Sequence, residues 1–455
     1  GRIDFVSLMR LTILRSLSAD ARAGATMRPV SSLRAARLSL AAIALVTIAL
    51  PVRADQDTGR TGAESGTGHA VVIGGALTGD NDAVWSRLVE LAGGPGSRFV
   101  VFATASGNPE RSASWVIENL RRRGAVAEHI PVAPRIEGID LAREVANPEW
   151  IDKVRAARGV YFSGGWQERI VDTLAPGGQS TPLLEAIRDV YRSGGVVAGS
   201  SAGAAIMSAT MIRDAEDVMG VLKGTIREGK EIGPGLGFVG EGLITDQHFL
   251  RRGRIGRLLP VMVKTGYVRG LGVEENTAAI VRGNAVEVVG AGGALYVDLE
   301  GAKSEPTAGA FNLRGARFSY LDRGDRLDLA TGAVTPSAAK LAGTKLDWRS
   351  PDFKPSLEKA PFHLDVLGHW TIVFAMNELV DGQATEVRGL AYDARPARDD
   401  PRPDLGFEFR LYKGDGTLAW YSDASGADAY TITDVYLDVT PVRVAQPLYG
   451  PWPAR

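Results

Sequence analysis

Cysteine is absent from all 455 residues, which excludes disulfides, a thiolate nucleophile and cysteine-bound zinc. Histidine is scarce: His69, His129, His248, His363 and His369 are the full set, so any step that needs an imidazole falls to one of five. Neither charge sign dominates. The 52 lysines and arginines stand against 53 aspartates and glutamates, a formal net charge of −1, and with no long basic block nothing points to nucleic acid. Long apolar runs are missing too. The stretch from Leu38 to Leu50 falls short of the roughly 20 residues that span a bilayer, so no stable membrane span is expected.

What that stretch does resemble is an export signal. Met27 is followed by Arg28, Arg34 and Arg37, then by the apolar run, then by Pro51-Val52-Arg53-Ala54. A charged start, a short apolar middle and a small-residue end read as a signal peptide over 27–54 cleaved near Ala54, which predicts a secreted, extracellular or periplasmic protein. Residues 1–26 read as an upstream extension. Residues 55–68, rich in glycine, threonine and acid, read as a disordered leader.

From His69 apolar strands alternate with amphipathic helices. His69–Ile73, Phe99–Ala103, Val126–Val132, Gly159–Phe162 and Val196–Ala198 are short apolar runs separated by helical patterns, as between Pro109 and Arg123 or Leu183 and Tyr191. Such alternation predicts an α/β fold with a parallel sheet covered on both faces, hence three layers. Sites in such sheets lie beyond the C-terminal strand ends. Arg213 to Gly240 reads as an irregular surface excursion. The main folded unit is expected over 69–340, a linker over 341–360, and a small β-rich domain over 361–455. In that last part Phe407–Tyr412 and Thr417–Tyr421 flank Lys413-Gly414-Asp415-Gly416, a hairpin signal.

The chemistry gathers at Gly199-Ser200-Ser201-Ala202-Gly203. A strand that turns sharply into a helix needs small neighbours, and a serine at the apex has its hydroxyl exposed beside the amides of the helix start. By itself Gly-x-Ser-x-Gly is weak, since small residues at such a turn more often just allow close packing. An activated serine also needs a base and a carboxylate to orient it. Of the five histidines only His248 follows a strand, Gly242–Thr245, at the edge where Ser201 belongs. Its carboxylate partner could be Asp246, two residues earlier on an extended segment, or either of Glu274 and Glu275 beyond the strand Gly270–Val273. Only one of the two glutamates is expected to face inward. Arg251, Arg252, Arg254 and Arg257 follow the histidine. Such a run usually coats a solvated face, but beside a catalytic histidine guanidinium forks suit bidentate capture of carboxylates.

Four motifs taken in order resemble the cyanophycinase family of serine peptidases, related to aspartyl dipeptidases and shaped like class I glutamine-amidotransferase domains. They are Phe162-Ser163-Gly164-Gly165-x-Gln167, Gly199-Ser200-Ser201-Ala202-Gly203-Ala204, Asp246-Gln247-His248-Phe249 followed by Arg252, Arg254 and Arg257, and Gly272-Val273-Glu274-Glu275-Asn276-Thr277. The resemblance covers roughly residues 69–300. It implies Ser201 as nucleophile, His248 as base and Glu275 as acid, with the amides of Gly165 and Ala202 as oxyanion hole. It implies Gln167, Asp246, Gln247, Arg252, Arg254 and Arg257 as substrate-binding residues, and cyanophycin, a polyaspartate bearing arginine on its side chains, as substrate, released as β-aspartyl-arginine dipeptides. No metal or organic cofactor is implied, and a homodimer is. Two departures bear on the substrate: Trp166 stands where a small polar residue is expected, and the interval from Ser201 to His248 is long. Rival readings are a peptidase on other acidic or isoaspartyl peptides, and a binding protein that kept the fold without the activity.

Overall fold

Five short strands form the parallel part of the first sheet: β1 (His69–Ile73), β2 (Arg98–Phe102), β4 (Gly159–Phe162) and β5 (Val196–Ser200), buried along nearly their whole length, and the edge strand β3 (Val126–His129), of which Ala127 alone is buried. They pair in parallel in the order β1-β5-β4-β2-β3. The side chains of the four inner strands are largely apolar on both faces because helices cover both. On one face the helices Asp82–Leu91 and Pro109–Arg122 pack Trp85, Leu88, Val116 and Leu120 against Val71, Phe99 and Tyr161. On the other, the helices Gln167–Leu174 and Pro182–Arg192 pack Ile170, Leu174, Leu183 and Ile187 against Phe102, Val160 and Val197. Helix starts follow local rules. Thr181 accepts the Leu184 amide (3.3 Å) just before Pro182 at the first helical position, where a missing N–H is harmless. This computed structural model describes residues 68–305 and 310–451; the extension 1–26, the signal peptide 27–54 and positions 55–67 of the leader lie outside the described residues.

After β5 the chain forms a small antiparallel pair, β6 (Thr210–Ile212) with β7 (Ile232–Pro234). The excursion expected over 213–240 is therefore largely folded. Its Val221, Leu222 and Ile226 are buried in the second core, because the helix Ile255–Thr265 offers them an apolar partner face.

A second sheet begins with β8 (Leu243–Asp246) and β9 (Arg269–Val273), paired in parallel. The chain then returns to the first sheet. β10 (Thr277–Arg282) and β11 (Ala285–Gly290) extend it antiparallel beyond β1. β12 (Ala294–Asp298) and β13 (Leu313–Leu321) go back to the second sheet, while β14 (Arg326–Asp328) and β15 (Ala333–Thr335) finish the first. The segment 274–276 thus joins the two sheets at their shared end.

The remaining strands are β16 (Thr344–Leu346), β17 (Phe362–His363), β18 (Glu386–Ala391), β19 (Leu405–Tyr412), β20 (Leu418–Ser422) and β21 (Ala429–Arg443). The β-rich C-terminal region is present, yet it is not a domain set apart by a linker. β21 pairs with β13, so the second sheet runs without a break from β8 to β17, and one core joins Leu258 and Val297 to Met376, Phe407 and Leu437. β19 and β20 do not form the expected hairpin either. Both lie along β21, β19 on Tyr436–Arg443 and β20 on Ala429–Thr433. The long strand bends between the two contacts at Asp434, with φ of 50°. Among the described residues no helix is long and apolar enough to cross a membrane.

Candidate active site

β5 delivers Ser201 to the end of the first sheet. Its φ is 54° and ψ −108°, a conformation that side chains adopt only where the surroundings enforce it. The enforcement is visible. The Ser201 amide donates to the Ile73 carbonyl (3.0 Å). A Cβ on Gly199 would stand 2.0 Å from the Gly203 carbonyl, and one on Gly203 would stand 2.4 Å from that of Phe162. Both glycines of the Gly-x-Ser-x-Gly turn are required by close approach, and the apex serine is left at the start of the short helix Ala202–Ala205.

The partner comes from the other sheet. Ser201 Oγ lies 2.8 Å from His248 Nε2, and His248 Nδ1 lies 2.6 Å from a carboxylate oxygen of Glu275. With Nδ1–H donated to the carboxylate, Nε2 keeps its lone pair for the serine hydroxyl. His248 also sits at positive φ, 48°, and its amide donates to the Gly74 carbonyl (2.7 Å). Its ring packs onto Gly75, where a Cβ would come within 2.2 Å of the imidazole. Burial holds the His248 pKa below its ordinary value; the Glu275 hydrogen bond opposes this, and Arg252 and Arg254 reinforce it. The imidazole is therefore neutral at neutral pH, the form a general base needs.

Of the three carboxylate candidates, Glu275 reaches the ring. Glu274 is not solvated. It is 3% exposed, and one of its oxygens accepts the amides of Leu250 (2.6 Å) and Arg251 (2.9 Å). Burial raises its pKa. Asp246 is also buried, with its carboxylate gripped by Arg257 Nε (2.8 Å) and a terminal nitrogen (2.6 Å). Burial alone would push Asp246 up, but Arg257 and Arg254 outweigh it and hold it below its usual range.

The arginines divide in a way their spacing does not reveal. Arg254 is 1% and Arg257 0% exposed, which places neither on a substrate-facing wall nor on a solvated helix face. Arg257 also donates to the Ala215 carbonyl (2.9 Å). Arg254 donates to the Gln247 carbonyl (2.8 Å) and to Glu216 (2.8 Å). The folded excursion supplies Ala215 and Glu216, and it converts two expected ligands of substrate into a buried ion-pair network behind the histidine loop. Arg252 alone of the three faces the cleft, its side chain 46% exposed and 3.4 Å from Glu216. Gln247 is 3% exposed, and its side-chain oxygen has no hydrogen-bond partner among the described residues. Gln167 does not line the cleft; its side-chain amide donates to the carbonyls of Ile212 and Arg213, tying its helix to β6. Trp166 is 58% exposed and carries the Arg169 guanidinium 6.0 Å from its ring.

The cleft around Ser201 has a volume of about 640 Å³. Arg111 and Arg252 stand on its walls together with Leu77, Trp115 and Tyr161, so cations and an apolar aromatic surface share it. Arg111 is exposed and makes no ion pair among the described residues. The Ser163–Gly165 turn adjoins the serine, a Cβ on Gly164 standing 3.3 Å from that of Ser201. The Gly165 and Ala202 amides have no acceptor among the described residues. Ser208, the other serine near the turn, is buried against Thr245 Oγ1 (2.9 Å) with no histidine at hand. Among the described residues no group of three or more histidine or acidic side chains is arranged to hold a metal ion.

Sequence reasoning did not single out Gly74, Gly75, Asn276, Arg111 or Glu216. Two signals were available. Gly74-Gly75 ends a buried strand, a pattern that marks close approach. Asn276 stands beside the paired glutamates; its φ is 54°, and its side-chain oxygen accepts the Thr78 amide (3.0 Å) and Asn81 Nδ2 (2.8 Å), fixing the loop that carries Glu275. Arg111 and Glu216 left no such mark.

Residues 72–289 match peptidase family S51. The chain is 29% identical over 286 residues to a cyanophycinase of Nostoc sp., spanning 60% of this chain and 89% of that protein. It is 29% identical over 274 residues to a cyanophycinase of Geminocystis herdmanii, spanning 57% and 93%. Among solved structures it is similar to a peptidase from an acI-B1 actinobacterium, at 23% identity with TM-score 0.40 over 50% of this chain and 90% of that one. A putative peptidase E protein from Listeria monocytogenes EGD-e follows at 18%, TM-score 0.34, 49% and 97%.

Proposed function

We propose that this chain, similar over residues 72–289 to peptidase family S51 and 29% identical to cyanophycinases, is a cyanophycinase-like peptidase that hydrolyses cyanophycin to β-aspartyl-arginine dipeptides through an acyl-enzyme on Ser201. One observation carries the proposal: Ser201, His248 and Glu275 form a hydrogen-bonded relay of 2.8 and 2.6 Å. The Ser201 hydroxyl proton passes to His248 Nε2 as Oγ attacks the scissile carbonyl. Glu275 keeps the proton on Nδ1 and stabilises the imidazolium that forms. The negative charge on the carbonyl oxygen is received by the Gly165 and Ala202 amides. His248 then gives its proton to the leaving amine, and water, deprotonated by the same ring, releases the acyl group. Arg111 and Arg252 hold substrate carboxylates beside the serine.

A second reading, a peptidase on other short acidic or isoaspartyl peptides, is favoured by the cleft itself. With Arg254 and Arg257 withdrawn into the interior, two cleft arginines suit a short acidic peptide as well as a polymer. Incubation of the purified protein with insoluble cyanophycin, the soluble products identified by mass, tests the main reading. Dipeptide release supports it; an intact polymer alongside cleaved isoaspartyl dipeptides assigns the second. Export after a signal peptide over 27–54 belongs to the same proposal. N-terminal sequencing of the exported form should start near Asp55, and recovery of the cytoplasmic full chain alone would overturn export.

A further inference from the structure

The residues that match family S51 end at 289, yet the back of the histidine loop is closed by a residue far beyond them. Trp370 is held at φ 62° and ψ 0°, just before the helix Thr371–Asp381. A non-glycine residue in that region is strained unless its neighbours fix it. Its neighbours here are parts of the active site. The Trp370 amide donates to the Leu250 carbonyl (3.1 Å), two residues after the catalytic histidine. Its ring meets Tyr320 edge-on at 6.3 Å and lies across Gly292 from Glu274: a Cβ on Gly292 would stand 3.5 Å from each side chain. Three residues earlier, Leu367 presses on the same loop, and a Cβ on Gly253 would fall 2.1 Å from its carbonyl oxygen.

The main chain of the His248–Arg251 segment is therefore held by four residues. The Gly74 carbonyl takes the His248 amide (2.7 Å), the Val273 carbonyl takes the Phe249 amide (3.3 Å), the Glu274 carboxylate takes the Leu250 and Arg251 amides, and the Trp370 amide donates to the Leu250 carbonyl. The Trp370 contact is made by a main-chain amide, and the ring acts on it indirectly. Packed on Tyr320 and across Gly292 from Glu274, the ring holds the positive-φ turn that aims this amide at Leu250, so its loss loosens the Leu250 carbonyl while the Arg251 amide stays on Glu274. His248, at positive φ, sits at the root of that segment. We infer that Trp370 is a positioning residue for catalysis: through Leu250 it fixes the loop that holds the His248 imidazole between Ser201 and Glu275. The C-terminal region thereby belongs to the catalytic machinery.

This inference rests on Ser201–His248–Glu275 being the catalytic relay, and two readouts separate its failure from failure of that reading. The full-length Trp370→Ala protein is compared with wild type and with Trp370→Phe. Expected for Trp370→Ala is a fall in kcat, and in the rate of fluorophosphonate labelling of Ser201, on the order of ten- to a hundredfold, with KM little changed. Trp370→Phe should recover part of the rate. By nuclear magnetic resonance the His248 titration midpoint should move up in Trp370→Ala, as water reaches a ring that burial now holds low. A lowered Tm with wild-type labelling rate and an unmoved His248 titration would make Trp370 a packing residue and overturn the inference. Should Trp370→Ala not fold, the same measurements on Trp370→Phe and Leu367→Ala decide it, unchanged rates and titration overturning it. Wild-type protein that neither hydrolyses peptides nor labels at Ser201 would instead sink the peptidase mechanism, while the titration comparison still tests the positioning.

Discussion

Glu274 and Glu275, adjacent in sequence, hold the same loop at two points. Glu275 takes the His248 ring at 2.6 Å, and Glu274 takes the Leu250 and Arg251 amides two and three residues further on. One carboxylate orients the base and the other fixes the backbone that carries it. This division of labour lets each be tested apart. Glu275→Gln should fold normally and lose several orders of magnitude in kcat, since the ring loses the acceptor that sets its tautomer. Glu274→Ala strands the buried Leu250 amide, at about 1–3 kcal/mol, and the part-buried Arg251 amide at less, so its main effect should be a lower Tm. The opposite assignment of losses, in thermal melts and kcat/KM, would reverse the two roles.

Ser201→Ala should remove activity by several orders of magnitude while leaving Tm near wild type. The hydroxyl makes one side-chain bond, to His248, and alanine carries the same backbone constraint. Residual turnover near the wild-type rate in a folded variant would place the nucleophile elsewhere.

The acid limb of kcat/KM should lie below pH 6.5. Burial, aided by Arg252 and Arg254, keeps the folded-state pKa of His248 below that ordinary value, and the neutral ring is the active form. Arg252→Ala removes one of the cations that lower it, so the limb should move to higher pH. The same shift affects stability. The contribution of burying a neutral ring is present above pH 6.5 and is lost as pH falls towards the folded-state pKa, because the unfolded chain takes up its proton first. A limb that moves down in Arg252→Ala contradicts this account.

Arg252 and Arg257 should behave differently, although both belong to one run. Arg252→Ala and Arg111→Ala should raise KM for acidic peptides a few-fold to about tenfold, the side chains being exposed enough for water to weaken their pairs, with a small uncharged ester hardly affected. Arg257→Ala leaves Asp246 buried without its partner, and breaking such a pair costs about 3–5 kcal/mol. It should lower Tm sharply and depress both substrates together. Selective loss on the acidic substrate with Arg257→Ala would return that residue to the cleft.

Much of this protein was legible along the chain. Apolar runs of strand length between amphipathic helices dictated a covered parallel sheet, because a strand buried on both faces has no polar side to show. The scarcity of histidine pointed to His248, and the glycines around Ser201 mark a turn whose backbone approaches within 2.0 Å of where a side chain would begin. Those are local properties, set by residues a few positions apart. Which arginines are buried and which stands in the cleft, which glutamate meets the ring and whether residues 361–455 stand alone were decided only in three dimensions. Arg252, Arg254 and Arg257 share one spacing pattern, yet residues 213–240 fold over two of them and leave the third in the cleft. β21 pairs with β13 and carries Trp370 and its helix onto the back of the histidine loop. Periodicity records which way a side chain points from its own element. It holds no record of which distant segment will be packed against it, and for these residues that distant segment decided exposure, charge pairing and role.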